Sequence, residues 1–136
     1  MLKLRVTNET DRLKAVILGT AVSNGATPTL EEAYDPKSAE HIKAGTYPIE
    51  KDMVAEMDAF RTVLEKYNVK VYRPEIITDC NQIFTRDIGF VIEDTFIKAN
   101  ILPDRQAEFQ AIEYIVKQMN PDKVITPPIY ILKGAM

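Results

Sequence analysis

The sequence predicts an α/β fold built from repeated strand–helix–strand units. Three observations carry this. Short apolar runs of strand length alternate with longer segments, those segments carry apolar stripes at helical spacing, and the whole pattern echoes at a period near 50 residues. Aligning Val69–Pro74 with Asp122–Pro127 gives an offset of 53, and aligning Met57, Phe60 and Leu64 with Phe109, Ile112 and Val116 gives 52.

The first unit opens with "LKAVILG", Leu13 to Gly19, a compact apolar run ending in glycine that reads as a buried strand. Residues 20 to 47 follow, punctuated by Gly25, Pro28, Pro36 and Gly45. A connection of that length is expected to be a functional loop or a lid, because long structureless loops are uncommon in compact domains. Pro48 is expected to open a helix in its first turn, where a missing N–H costs little. Met53, Met57, Phe60, Leu64 and Tyr67 then form one apolar stripe. Asn68 stops the helix, and "VKVYRP" is the next strand, closed by Pro74.

The second unit begins with "IGFVI" and "TFIKAN", two strands joined at Glu93–Asp94 as a β-hairpin. Pro103 and Asp104 start a helix, with an acid in the first turn suiting the helix dipole. Phe109, Ile112, Val116 and Met119 repeat the stripe, and "DKVITPP" is the strand after it. Ile129 to Leu132 read as the opening strand of a third unit, after which the sequence stops, as expected of a fragment.

Composition excludes several classes of function. The chain has 136 residues, 46% hydrophobic and 27% charged, with a net charge of −3, so a folded domain is expected. Without clustered Lys and Arg there is no nucleic-acid footprint. No run of about 18 apolar residues exists for a membrane span, and the N-terminus lacks a signal-peptide core. One cysteine cannot form an internal disulfide, which fits a cytoplasmic setting. His41 stands alone, so no metal site is expected; no cofactor is expected either, since the five glycines form no phosphate loop.

The stretch "CNQIFTRDIGF", Cys80 to Phe90, holds the candidate chemistry. Cys80 is a poor nucleophile on sequence grounds. Its neighbour Asp79 opposes thiolate formation, and no cation or histidine lies near it in the chain. His41 shows no base spacing, and Ser23 and Ser38 lie in no nucleophile turn. Arg86–Asp87 is the stronger feature. It stands at the start of a strand, where an aspartate can accept a forked pair of hydrogen bonds from a guanidinium. The bland alternative is that Asp87 pairs with one of the protein's own arginines or caps a turn.

Two segments together resemble a known family. "NETDRLKAVILG", Asn8 to Gly19, is similar to the opening strand of the amidinotransferases, and "FTRDIGFVIEDTFI", Phe84 to Ile97, resembles their first substrate-binding motif. The same motif occurs in arginine deiminases and dimethylarginine hydrolases, which with the amidinotransferases form the guanidino-group-modifying (pentein) superfamily. "PDRQAEFQAI" also matches, with an Arg followed three residues later by Glu. The resemblance implies an incomplete α/β propeller of ββαβ repeats. Residues 1–136 would be the N-terminal part of that single domain: about two repeats and the first strand of a third.

The resemblance puts a guanidinium-binding role on Asp87 and a strand-end support role on Arg86. Asn81 matches an asparagine that helps hold the substrate's amino-acid end in deiminases. Arg105 would orient a substrate carboxylate or brace Glu108. The implied activity is amidino transfer from a small guanidino substrate such as arginine. It would use a cysteine, a histidine and a second acid that lie beyond this chain, so the chain alone is expected to be inactive. The alternatives are a deiminase or dimethylarginine-type hydrolase of the same fold, and a non-catalytic binding module. Strand edges of an incomplete propeller can pair, so a homo-oligomer is allowed.

Overall fold

Residues 1–33 and 35–128 are described by this computed structural model. The expected strand at Ile129 to Leu132 and the residues after it lie outside the described residues. The chain divides into two compact units: Lys14–Ile83, and Met1–Leu13 together with the described part of Phe84–Met136.

In the first of these, β1 (Ala15–Ile17) pairs in parallel with β2 (Lys70–Tyr72) in the register Val16 with Val71. A parallel pair needs a crossover, and the two intervening helices supply it. The pairing is extended by the Lys70 N–H donating to the Lys14 carbonyl and the Leu18 N–H donating to the Tyr72 carbonyl, both at 2.9 Å. Gly19 ends the strand for a steric reason. A Cβ there would run into the backbone carbonyls of Gln82 and Ile83, which close in because the Thr20 N–H donates to the Gln82 carbonyl at 3.1 Å.

The connection from Thr20 to Tyr47 is partly helical. A 3-10 turn (Leu30–Glu32) is followed by α1 (Pro36–Ala44). Asp35 caps α1, its carboxylate accepting from the Ser38 N–H at 2.9 Å and the Ser38 hydroxyl at 2.7 Å. Gly45 ends it in the left-handed region, φ +68°.

Helix α2 (Glu50–Lys66) starts two residues after Pro48, with Ile49 at the cap, so Pro48 stands outside the first turn. Asn68, φ +60°, reverses the chain after it, a conformation asparagine tolerates. The expected stripe is present on α2, but it is not a core: Met53, Met57 and Leu64 are half-buried, while Phe60 and Tyr67 are exposed.

The other unit holds the better-formed core. β3 (Gly89–Ile92) and β4 (Thr95–Lys98) make the expected hairpin, with Glu93 in the left-handed region at its tip. β5 (Val124–Ile125) adds to β4 in parallel, Phe96 opposite Val124. The expected helix between them is interrupted. A 3-10 turn (Pro103–Arg105) leads into α3 (Gln106–Gln110), and α4 (Glu113–Val116) follows after a break. Ile88, Phe96, Phe109, Ile112, Ile115 and Met119 are all buried in this unit. The N-terminal arm is bound to this unit. Val6 and Glu93 exchange two backbone hydrogen bonds, and the Leu2 N–H donates to the Gln118 carbonyl at 2.6 Å.

Both units therefore contain a parallel strand pair joined through helix, as the 50-residue echo predicts. Among the described residues the sheets are two- and three-stranded and open. No described helix is long and apolar enough to cross a membrane.

Candidate functional site

Asp87 sits at the end of a 3-10 turn, Thr85–Asp87, that feeds directly into β3. The turn is closed by the Asp87 N–H donating to the Phe84 carbonyl at 3.0 Å and the Ile88 N–H donating to the Thr85 carbonyl at 3.2 Å. Ile88, only 2% exposed, pins the turn to the core. The Asp87 carboxylate stands next to that anchor and is itself 42% exposed.

Arg105 arrives from the end of the 3-10 turn that precedes α3. Its Nη1 donates to Asp87 Oδ2 at 3.2 Å. Its Nε and Nη2 donate to Glu108 Oε2 and Oε1 at 2.6 and 2.9 Å, a bidentate fork. Glu108 is one turn further on, and its side chain is only 6% exposed. A buried carboxylate is costly unless it is paired and hydrogen-bonded, and the fork meets both needs. The Glu108 hydrogen bond, with Asp87 adding to it, raises the Arg105 guanidinium above its ordinary range. Arg86 reaches the other oxygen of Asp87 only loosely. Its side chain is 85% exposed, with Nε 3.7 Å from Asp87 Oδ1.

The structure thus brings Asp87, Arg86 and Arg105 together and adds Glu108, which sequence reasoning left as a bracing partner. The signal was there: a Glu three residues after an Arg at a helix start. That spacing alone does not distinguish a surface pair from a buried one. Counting charges, Asp87, Arg105 and Glu108 together carry −1. The exposed Arg86 is screened by water and offsets little of it.

Asn81 belongs to the other unit. It is exposed, and its Oδ1 accepts from the Ile83 N–H at 3.1 Å. Beside it, Gln82 is buried and bridges its own loop. Its Nε2 donates to the Glu75 carbonyl at 2.7 Å, and its Oε1 accepts from the Ile77 N–H at 2.8 Å. Cys80 is half-buried, and its N–H donates to the Ser23 carbonyl at 2.9 Å. Ser23 also accepts from the Asp79 N–H and donates its own N–H to Glu50 Oε1. The Cys80 backbone is thereby part of a loop-to-loop tie. His41 Nδ1 lies 2.8 Å from the Thr46 hydroxyl at the end of α1. Among the described residues, no group of three or more His, Cys, Asp or Glu is placed to hold a metal ion.

A carboxylate at the entrance of a hairpin, braced by an arginine from the following helix start, sits here on the fold of the amidinotransferases. The chain is similar to the inosamine-phosphate amidinotransferase StrB1 from Streptomyces griseus, with a TM-score of 0.65 and 26% identity over 91% of this chain. It is also similar to SxtG, an amidinotransferase from Microseira wollei in the saxitoxin biosynthetic pathway, with a TM-score of 0.63, 22% identity and the same 91% coverage. These matches support the resemblance to the amidinotransferase and pentein superfamily. The chain spans 42% and 41% of the lengths of those two proteins. No protein-family model and no curated protein matches the chain.

Proposed function

We propose that this chain supplies the guanidinium-anchoring wall of an amidinotransferase-like enzyme with a pentein propeller fold, and that Asp87 is the anchor. The observation that carries the reading is the Asp87 carboxylate itself. It is rooted beside the buried Ile88, takes a guanidinium N–H from Arg105 on one oxygen, and stays 42% exposed for a second guanidinium. The substrate is arginine or a related guanidino compound. Likeness to two amidinotransferases favours an amine over water as the final acceptor.

A guanidinium resists attack because its charge is spread over three nitrogens. Fixing its plane against a carboxylate aims the central carbon at a nucleophile and removes much of the entropic cost. A cysteine thiolate, supplied outside residues 1–136, adds to that carbon. The tetrahedral adduct collapses, a C–N bond breaks, and the leaving nitrogen departs as an amine after protonation. The enzyme is left as an amidino-thioether. A second amine then attacks the same carbon and frees the thiolate. Asp87 serves the first step by orientation and charge. Arg105 braces Asp87 through Nη1 while its fork is held by Glu108, and Arg86 supports the turn. The share of the neighbours' lengths that the chain spans supports a nucleophile located elsewhere.

The test is steady-state kinetics of the full-length enzyme. Asp87→Ala is expected to raise KM for the guanidino donor and to depress kcat by about 100-fold, the scale of a misplaced reacting group. Wild-type constants would overturn the reading. Residues 1–136 alone are expected to form no guanidino or ureido product from arginine.

A further inference from the structure

We infer that Glu108 is a positioning residue, one that neutralises Arg105 and so preserves the negative charge of Asp87 for the substrate. The inference rests on the guanidinium-anchor reading above. Taken as a pair, Asp87 and Arg105 would cancel, and an incoming guanidinium would meet a neutral site with a cation already on the carboxylate. The geometry prevents this. Arg105 gives its two-toothed fork to Glu108, at 2.6 and 2.9 Å, and only one longer bond of 3.2 Å to Asp87.

Burial deepens the asymmetry. The Glu108 side chain is 6% exposed against 42% for Asp87, so the Arg105–Glu108 attraction is less screened by water. Arg105 is therefore committed to Glu108. Asp87 receives one N–H on Oδ2, and its Oδ1 faces only the water-screened Arg86 at 3.7 Å, so it keeps most of the cluster's surplus charge. Glu108 touches no substrate in this arrangement; it acts through Arg105.

Glu108→Gln separates this role from others. A glutamine cannot accept through both of its end atoms, so one arm of the fork is lost and Arg105 is released toward Asp87. The probe is butylguanidine, a guanidinium without a carboxylate, used as a competitive inhibitor of the full-length enzyme. Its inhibition constant is expected to rise about tenfold in Glu108→Gln, with kcat for the normal donor falling less than about threefold. A merely structural Glu108 would lower kcat through lost active protein and leave the inhibition constant unchanged, which overturns the inference. So does a rise in KM for arginine without a rise in the butylguanidine constant, since that effect runs through the substrate's carboxylate. Arg105→Lys, which keeps the charge but loses the fork, is expected to raise the butylguanidine constant likewise, and it decides the matter if Glu108→Gln does not fold. An unchanged constant in Asp87→Asn would overturn the anchor reading itself. A raised one there, beside an unchanged one in Glu108→Gln, overturns this inference alone.

Discussion

Lys123 and Asp94 meet at 2.8 Å, so the tip of the β3–β4 hairpin is tied to the turn that launches β5. Both groups are shifted by the contact. The Lys123 hydrogen bond lowers the Asp94 carboxyl from its ordinary 3.8, and the Asp94 hydrogen bond raises the Lys123 ammonium from its ordinary 10.5. A depressed carboxyl contributes stability that is present above the unfolded value and lost as pH falls through the folded one. The raised ammonium contributes stability present below 10.5 and lost as pH rises through its folded value. The tie is therefore expected to hold between those limits and to loosen in acid. Amide exchange at Thr95 and Val124 should accelerate below about pH 4 beyond the intrinsic rate. In Asp94→Asn that extra acceleration should vanish. Both groups are solvent-exposed, so about 1 M salt should blunt the effect as well.

Arg105→Ala removes the partner of a buried carboxylate. Glu108 would be left in a site almost closed to water with no cation, and breaking a buried pair in this way is strongly destabilising. Because Arg105 is 30% exposed, water recovers part of the loss, and the expected cost is about 2–3 kcal/mol. Denaturant unfolding measures it. The double variant Arg105→Ala with Glu108→Leu should regain most of the stability, because the orphaned charge goes with it.

Gly19→Ala should be costly for a different reason. The carbonyls of Gln82 and Ile83 are backbone atoms, so they cannot rotate aside as a side chain would. The Thr20–Gln82 bridge must open to admit the methyl group. A loss of about 1–3 kcal/mol is expected from such overpacking, read as a lower unfolding midpoint at an unchanged m-value. Gly45→Ala meets no neighbouring atom, so its cost should be confined to the strain of a positive φ at the end of α1.

The sequence made the hairpin legible because strand-forming runs flank a two-residue polar turn, a local signal that packing did not need to supply. Helix α1 carried equally local signals, Asp35, Pro36 and Ser38 at one end and Gly45 at the other. They read as loop punctuation because proline and glycine mark loops and helix ends alike. The α2 stripe was legible as a helix but not as a surface. Its spacing correctly marks a helix, but whether a stripe is buried depends on what lies against it, and Phe60 and Tyr67 remain exposed. At the candidate site, Arg86 and Asp87 stood out as a charged pair before an apolar strand. Glu108 did not, because its importance comes from its burial in the core to which its neighbours Phe109, Ile112 and Ile115 also belong, which no local spacing encodes.

The attachment of the N-terminal arm orders events during synthesis. The segment Lys14–Ile83 is continuous, and it can close on itself as soon as it has emerged. The arm before it cannot: Val6 awaits Glu93, and Leu2 awaits Gln118, both made much later. At ordinary elongation rates that wait is on the order of ten seconds. Residues 2 to 6 are thus fixed only after Glu93 and Gln118 have been made, and a nascent chain interrupted anywhere before Glu93 carries this arm unpaired.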